Sequence, residues 1–248
     1  MNTYFVEDQN RYRLGNSFIE RTWVYDGKFL HTVSLLDKTT GCEYVVKEPF
    51  ENEFGYEGLT YNRKMVKDNP YHFRLKDVVK KEYPADFYTS ARMEVCFHLE
   101  DPFHGVSIER CAVLYEGTSA IRTYCRVKSH NMPYGEVLFD ARYNWIERIG
   151  VEYKEYDTTV YNYWTRTDRK TELIEVLNAQ EGFVPGNVLL SFREKDKQGF
   201  YIIKEAPATM DERPETKGSF HFDDCGIDVL SWGIMPVEIR DDRYQKTY

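Results

Sequence analysis

Two stretches of this 248-residue chain hold residue types that could bind a polyhydroxylated ligand. They are Arg142-Tyr143-Asn144-Trp145 with Glu147, and Tyr161-Asn162-Tyr163-Trp164 with Arg166 and Asp168. Apolar ring faces stack on aromatic side chains while hydroxyls meet planar polar groups, and each stretch offers both within a few residues. Trp145 and Trp164 are therefore candidate carbohydrate-binding residues. The competing role is core packing, since Trp is highly buried on average and needs one partner for its indole N–H. Lys204-Glu205-Ala206-Pro207, at the end of an apolar run, adds Lys204 and Glu205 to the candidates. Their plainer role is that of edge charges beside a strand-ending proline.

Acid–base and metal chemistry have little material. The six histidines, at 31, 72, 98, 104, 130 and 221, form no H-x-x-x-H or H-E-x-x-H set. A His acid and a carboxylate base at one sugar ring would permit epimerisation, and His98 and His104 with Glu109 are the nearest such group. Leu75-Lys76-Asp77 reads as an ordinary surface pair. We expect no catalytic residue, no metal site and no cofactor. Glycine-rich phosphate loops and a strand-turn-helix frame to hold one are missing. The five cysteines, at 42, 96, 111, 125 and 225, include no C-x-x-C pair, so buried free thiols on strands are expected.

A net charge of −8 argues against nucleic acid as a partner, because phosphate binding rests on clustered Lys and Arg. No apolar run is long enough to span a bilayer, so no membrane partner is expected. MNTYFVEDQN lacks the order of a signal peptide. The location is left as cytoplasmic, or as periplasmic or secreted with a leader removed.

The elements that must position these residues are strands. Aromatic residues make up 16% of the chain, and rings suit pleated, half-buried surfaces. Asp26-Gly27 predicts a two-residue type I′ turn that sets Trp23 opposite Leu30, Val24 opposite Phe29 and Arg21 opposite Thr32. Strands are predicted over Cys42–Val46, Phe87–Leu99, Val106–Tyr115, Ala120–Lys128, Val137–Ile149 and Asp157–Trp164. Tyr71–Val79 reads as strand, Tyr153–Tyr156 as a polar linker, and Thr171–Leu177 as strand or helical turn. Val188–Arg193 and Gly199–Lys204 form a hairpin, and Phe220–Ile234 one or two strands. Pro49–Gly58, Gly182–Gly186 and Met210–Gly218 read as loops, and Asp241–Tyr248 as a linker. Many short antiparallel strands with evenly spaced turns predict an all-β sandwich, read here as a single domain over residues 1–248.

The runs LGNSFIERTW, TVSLLDKTTGCEYV and GNVLLSFREKDKQGFYIIKEAP resemble the N-terminal β-supersandwich domain of α-galactosidase-like enzymes of glycoside hydrolase family 36. The resemblance implies a large antiparallel β-supersandwich, galactose mutarotase-like in architecture. It implies a partner as well, a catalytic (β/α)8 barrel of the same enzyme that carries both carboxylates. The barrel's Lys-x-Asp segment is not found here, and Ala208 stands where the family often has Cys after Lys-Glu-Ala-Pro. The expectation is a non-catalytic domain that supports the barrel and assembly of a homo-oligomer and contacts carbohydrate. The alternatives are a stand-alone aldose epimerase-like enzyme and a carbohydrate-binding sandwich.

Overall fold

The computed structural model describes residues 2–47, 58–60, 73–103, 105–129, 144–166, 171–205, 219–230 and 239–246. In chain order its strands begin with β1 (Tyr4–Asp8), β2 (Arg11–Gly15), β3 (Ile19–Tyr25), β4 (Leu30–Asp37), β5 (Cys42–Glu43) and β6 (Gly58–Thr60). Next come β7 (Arg74–Tyr83), β8 (Arg92–Asp101), β9 (Val106–Tyr115), β10 (Ile121–Ser129), β11 (Asn144–Ile149) and β12 (Asp157–Arg166). The chain continues with β13 (Thr171–Asn178), β14 (Gly182–Pro185), β15 (Val188–Arg193) and β16 (Gln198–Ile203). It ends with β17 (Ser219–Asp223), β18 (Gly226–Leu230) and β19 (Gln245–Lys246).

The strands form four antiparallel sheets. Sheet I runs β1-β2-β3-β4-β5, sheet II β19-β10-β9-β8-β7, sheet III β14-β17-β18-β11-β6 and sheet IV β13-β12-β15-β16. The all-β class predicted from alternation therefore stands. The alternation also explains the packing, because a strand with every second residue apolar has one face that must be covered. Sheets I and II cover each other through Tyr12, Leu14, Trp23, Val95, Phe97 and Ile108. Sheets III and IV do so through Val160, Val184, Leu189, Phe220, Phe222 and Ile227. A third cluster, Tyr44, Val45, Ile149 and Val151 with Phe200 and Ile202, ties the two sandwiches together. Trp23 is wholly buried against Phe97 and Tyr12's neighbourhood, and full burial of such a side chain contributes about 1.5–3 kcal/mol.

Several sequence-based expectations need correction; residues 87–91 precede β8 rather than belong to it, and Gln245–Lys246 is strand rather than linker. The chain reverses at Asp26-Gly27 but not through the two-residue type I′ turn: Gly27 has φ 99° while Asp26 lacks positive φ, and Tyr25 pairs with Leu30, Val24 with His31 and Trp23 with Thr32. The loop thus runs from Asp26 to Phe29, because Asp26 Oδ1 accepts the N–H groups of Lys28 at 2.8 Å and Phe29 at 2.6 Å. A bulge between Thr22 and Trp23 then displaces Arg21 to a place opposite Leu35. Cys96 and Cys111 are not free thiols. They are register partners on β8 and β9, with Cα atoms 4.1 Å apart, and are joined by a disulfide. Cys42, Cys125 and Cys225 take no part in a disulfide. Gly182–Pro185 is strand β14 rather than loop, and as a sheet edge it tolerates Pro185.

Thr171–Asn178 resolves as strand, and Tyr153–Glu155 is a 3₁₀ turn whose first ring is buried. Lys76 sits at a bulge on the surface, and its ion-pair partner there is Glu100 at 3.3 Å rather than the adjacent Asp77 expected from the sequence. The loops expected at 49–57 and 210–218, the strand segment 137–143, and His72, His104 and His130 lie outside the described residues.

Candidate functional site

A cleft of about 700 Å³ opens where the four sheets meet. Its walls are edges. β10 is paired by β19 only at Arg126 and Val127, so no described strand pairs with Ile121–Tyr124 on the cleft side. β16 is the edge of sheet IV, and its residues from Gly199 to Ile203 line the opposite wall. Phe18 enters from sheet I because Asn16 shapes the preceding turn. Asn16 Oδ1 accepts from the N–H groups of Phe18 and Ile19 at 2.8 and 3.0 Å, while its Nδ2 donates to the Thr118 carbonyl at 2.7 Å.

The floor is a buried charge cluster. Glu147 of β11 receives Arg21 of β3 on Oε1 and Arg110 of β9 on Oε2, with the Thr123 hydroxyl 3.4 Å away. Arg21 also donates to the Thr32 hydroxyl and stacks its guanidinium 5.0 Å from the Trp23 ring. At the mouth, Arg122 Nη2 donates to Glu205 Oε2 at 2.6 Å, which holds the Arg122 guanidinium above its ordinary pKa.

Aromatic groups complete the lining. Tyr44 donates to the Gly199 carbonyl at 2.6 Å, and burial pushes its phenol up to about 12. Burial, with the Glu94 carboxylate that it donates to at 2.7 Å, likewise raises Tyr124. Both phenols are therefore protonated at neutral pH.

Of the residues singled out from sequence, Lys204 and Glu205 both line this cleft. Glu205 is exposed at the mouth. Lys204 turns its ammonium towards the Phe220 ring, 4.0 Å from the centroid, and the Leu230 carbonyl at 3.4 Å, and burial drives its pKa well below that of an ordinary lysine. Trp145 and Trp164 are described by backbone alone and belong to different sheets, Trp145 opposite Leu59 and Trp164 opposite Leu173. Sequence reasoning did not single out Arg21, Arg122, Thr123 or Tyr124. Period two on β10 was visible, but that its edge would face β16 was not.

Two further clusters have other occupants. His221, Asp223 and Asp228 place ligand atoms within 4.8 Å of one another. Arg148 fills the cationic role there, reaching Asp228 at 2.5 and 2.6 Å and Asp223 at 2.9 Å. His98 Nε2 lies 3.6 Å from Glu109, whose other oxygen forms an ion pair with Arg126, 2.6 Å from its Nε.

No protein-family model matches this sequence, and no curated protein matches it. Solved structures do. The galactosidase domain of the α-galactosidase-sucrose kinase AgaSK superposes with a TM-score of 0.58 at 9% identity, covering 98% of this chain and 40% of that one. The GH36 α-galactosidase AgaA from Geobacillus stearothermophilus gives 0.52 at 11% identity, covering 96% and 39%. The α-galactosidase from Lactobacillus brevis gives 0.53 at 10%, covering 98% and 39%. The chain spans about 40% of the length of the first of these, and it shares the fold of the N-terminal sandwich domain of such enzymes.

Proposed function

We propose that this chain is the non-catalytic β-supersandwich part of an α-galactosidase-like glycoside hydrolase. Its roles are to seat a catalytic (β/α)8 barrel, to take part in assembly of a homo-oligomer and to contact carbohydrate. The reading rests first on the fold shared with α-galactosidases. What carries it further is the outer face of sheet IV, where Val176, Leu190, Phe192, Tyr201 and Ile203 are 59%, 44%, 44%, 50% and 58% exposed. Register places them side by side: Leu190 pairs with Tyr201, Val188 with Ile203, and Tyr161 with both Val176 and Val188. Their neighbours in sequence, Leu189, Phe200 and Ile202, point inward to the core. Both faces of this sheet are thus apolar, and a contiguous exposed apolar face marks an interaction surface.

The test combines activity with surface chemistry. The chain by itself should leave p-nitrophenyl α-D-galactopyranoside uncleaved and should not speed galactose mutarotation in a polarimeter. It should bind 8-anilinonaphthalene-1-sulfonate, and the Val176→Asp/Leu190→Asp double variant should lose that binding with an unchanged circular dichroism spectrum. Turnover in either assay would overturn the reading, as would dye binding that ignores the double variant.

A further inference from the structure

We infer that the cleft between the edges of β10 and β16 is a binding site for an uncharged sugar, with Arg122 and Glu205 as its polar clamp and Tyr201 as a stacking ring. The inference rests on the carbohydrate part of the proposed function; Tyr201 belongs both to the cleft lining and to the exposed face of sheet IV, and Glu205, which lies outside that face, separates the two.

Size and lining come first. About 700 Å³ lies within the range of roughly 300–1,000 Å³ typical of small-molecule pockets, which combine an apolar lining with a few placed polar groups. Phe18, Tyr44, Tyr115, Tyr124, Phe200 and Tyr201 supply rings from β9, β10, β16 and the segments before β3 and after β5. An aldohexose has one ring face made of C–H groups and a rim of hydroxyls, which matches rings on the walls and polar groups at the floor and mouth.

Charge pairing selects the class. Each glutamate lining the cleft already faces a guanidinium, Glu205 that of Arg122 and Glu147 those of Arg21 and Arg110. At the floor, a charged ligand would have to displace one partner of the buried Glu147 cluster and leave the others uncompensated, which is costly. A hydroxyl displaces neither, because it donates to the carboxylate and accepts from the guanidinium at once. The open backbone edge at Ile121–Tyr124 offers further donors and acceptors along the same wall.

Saturation-transfer NMR with galactose, N-acetylgalactosamine and melibiose tests this on the intact chain. At least one sugar should receive saturation at millimolar concentration, and galacturonate should bind more weakly than galactose. Glu205→Gln and Tyr201→Ala should each weaken binding about tenfold, whereas Tyr88→Ala, on an exposed turn that does not line the cleft, should not change it. No transfer to any of the three sugars would overturn the inference. So would binding that survives both cleft substitutions in folded protein, or tighter binding of galacturonate. The α-galactosidase and dye assays read the docking proposal independently, so failure of one leaves the other intact.

Discussion

Arg110, on the inner face of β9, donates through Nη2 to Oε2 of Glu147 on β11, so a charged pair ties sheet II to sheet III at the floor of the cleft. Arg21 of β3 reaches the other oxygen and brings in sheet I. Removing one partner of such a buried cluster costs about 3–5 kcal/mol, while replacing the whole cluster with apolar groups is often neutral or stabilising. Glu147→Gln should therefore lower the unfolding free energy by about that amount in urea titration. Arg21→Met/Arg110→Met/Glu147→Leu should recover most of the loss. Equal stability of the single and triple variants would show that the cluster does not join the sheets energetically.

Asp26 gives a pH dependence of known sign. Burial by itself would raise its pKa, but hydrogen bonds from the Phe29 N–H, His31 and the Lys28 N–H lower it below the ordinary carboxylate value. A depressed carboxylate stabilises the native state above its unfolded pKa, near 3.9, and that stability drains away as pH falls through the folded pKa. Urea midpoints measured from pH 5 to pH 2 should fall more steeply for the wild-type protein than for Asp26→Asn. Parallel curves would remove Asp26 from the acid response.

The disulfide predicts a thiol count. Under denaturing, non-reducing conditions the chain should show three reactive thiols out of five cysteines. Cys96→Ala/Cys111→Ala should lose up to about 3 kcal/mol, the chain-entropy figure for a loop of some 15 residues. The tight β8–β9 hairpin already limits that loop in the folded state. Five titrating thiols would show that the bridge does not form.

Gly27 and Gly226 separate two reasons for glycine. Both have positive φ, 99° and 136°, but a Cβ at Gly27 meets open space while one at Gly226 would stand 2.3 Å from the Ile149 carbonyl oxygen. Gly27→Ala should cost about 1 kcal/mol from backbone strain, and Gly226→Ala distinctly more, because β18 must also shift from β11. Thermal melts of the two variants read the difference, and equal losses would contradict the close approach.

Alternation along β8, β9, β10, β12 and β15 determined the all-β class, since a period of two leaves one face apolar whatever the strand later meets. Turn residues placed the β3–β4, β8–β9, β9–β10 and β15–β16 connections, and the short runs from LGNSFIERTW to IIKEAP carried a resemblance that the superposed solved structures share at the level of the fold. The sequence likewise marked Lys204 and Glu205 as chemically notable. Tertiary structure decided the rest. The hairpin register at Asp26 turned on two side-chain hydrogen bonds, and the Cys96–Cys111 bridge on a register that no local pattern encodes. The cleft depended on contacts between residues as far apart as Arg122 and Glu205, or Arg21 and Glu147. Local propensity acts over a few residues, whereas the meeting of two strand edges is set by how four sheets cover one another's apolar faces.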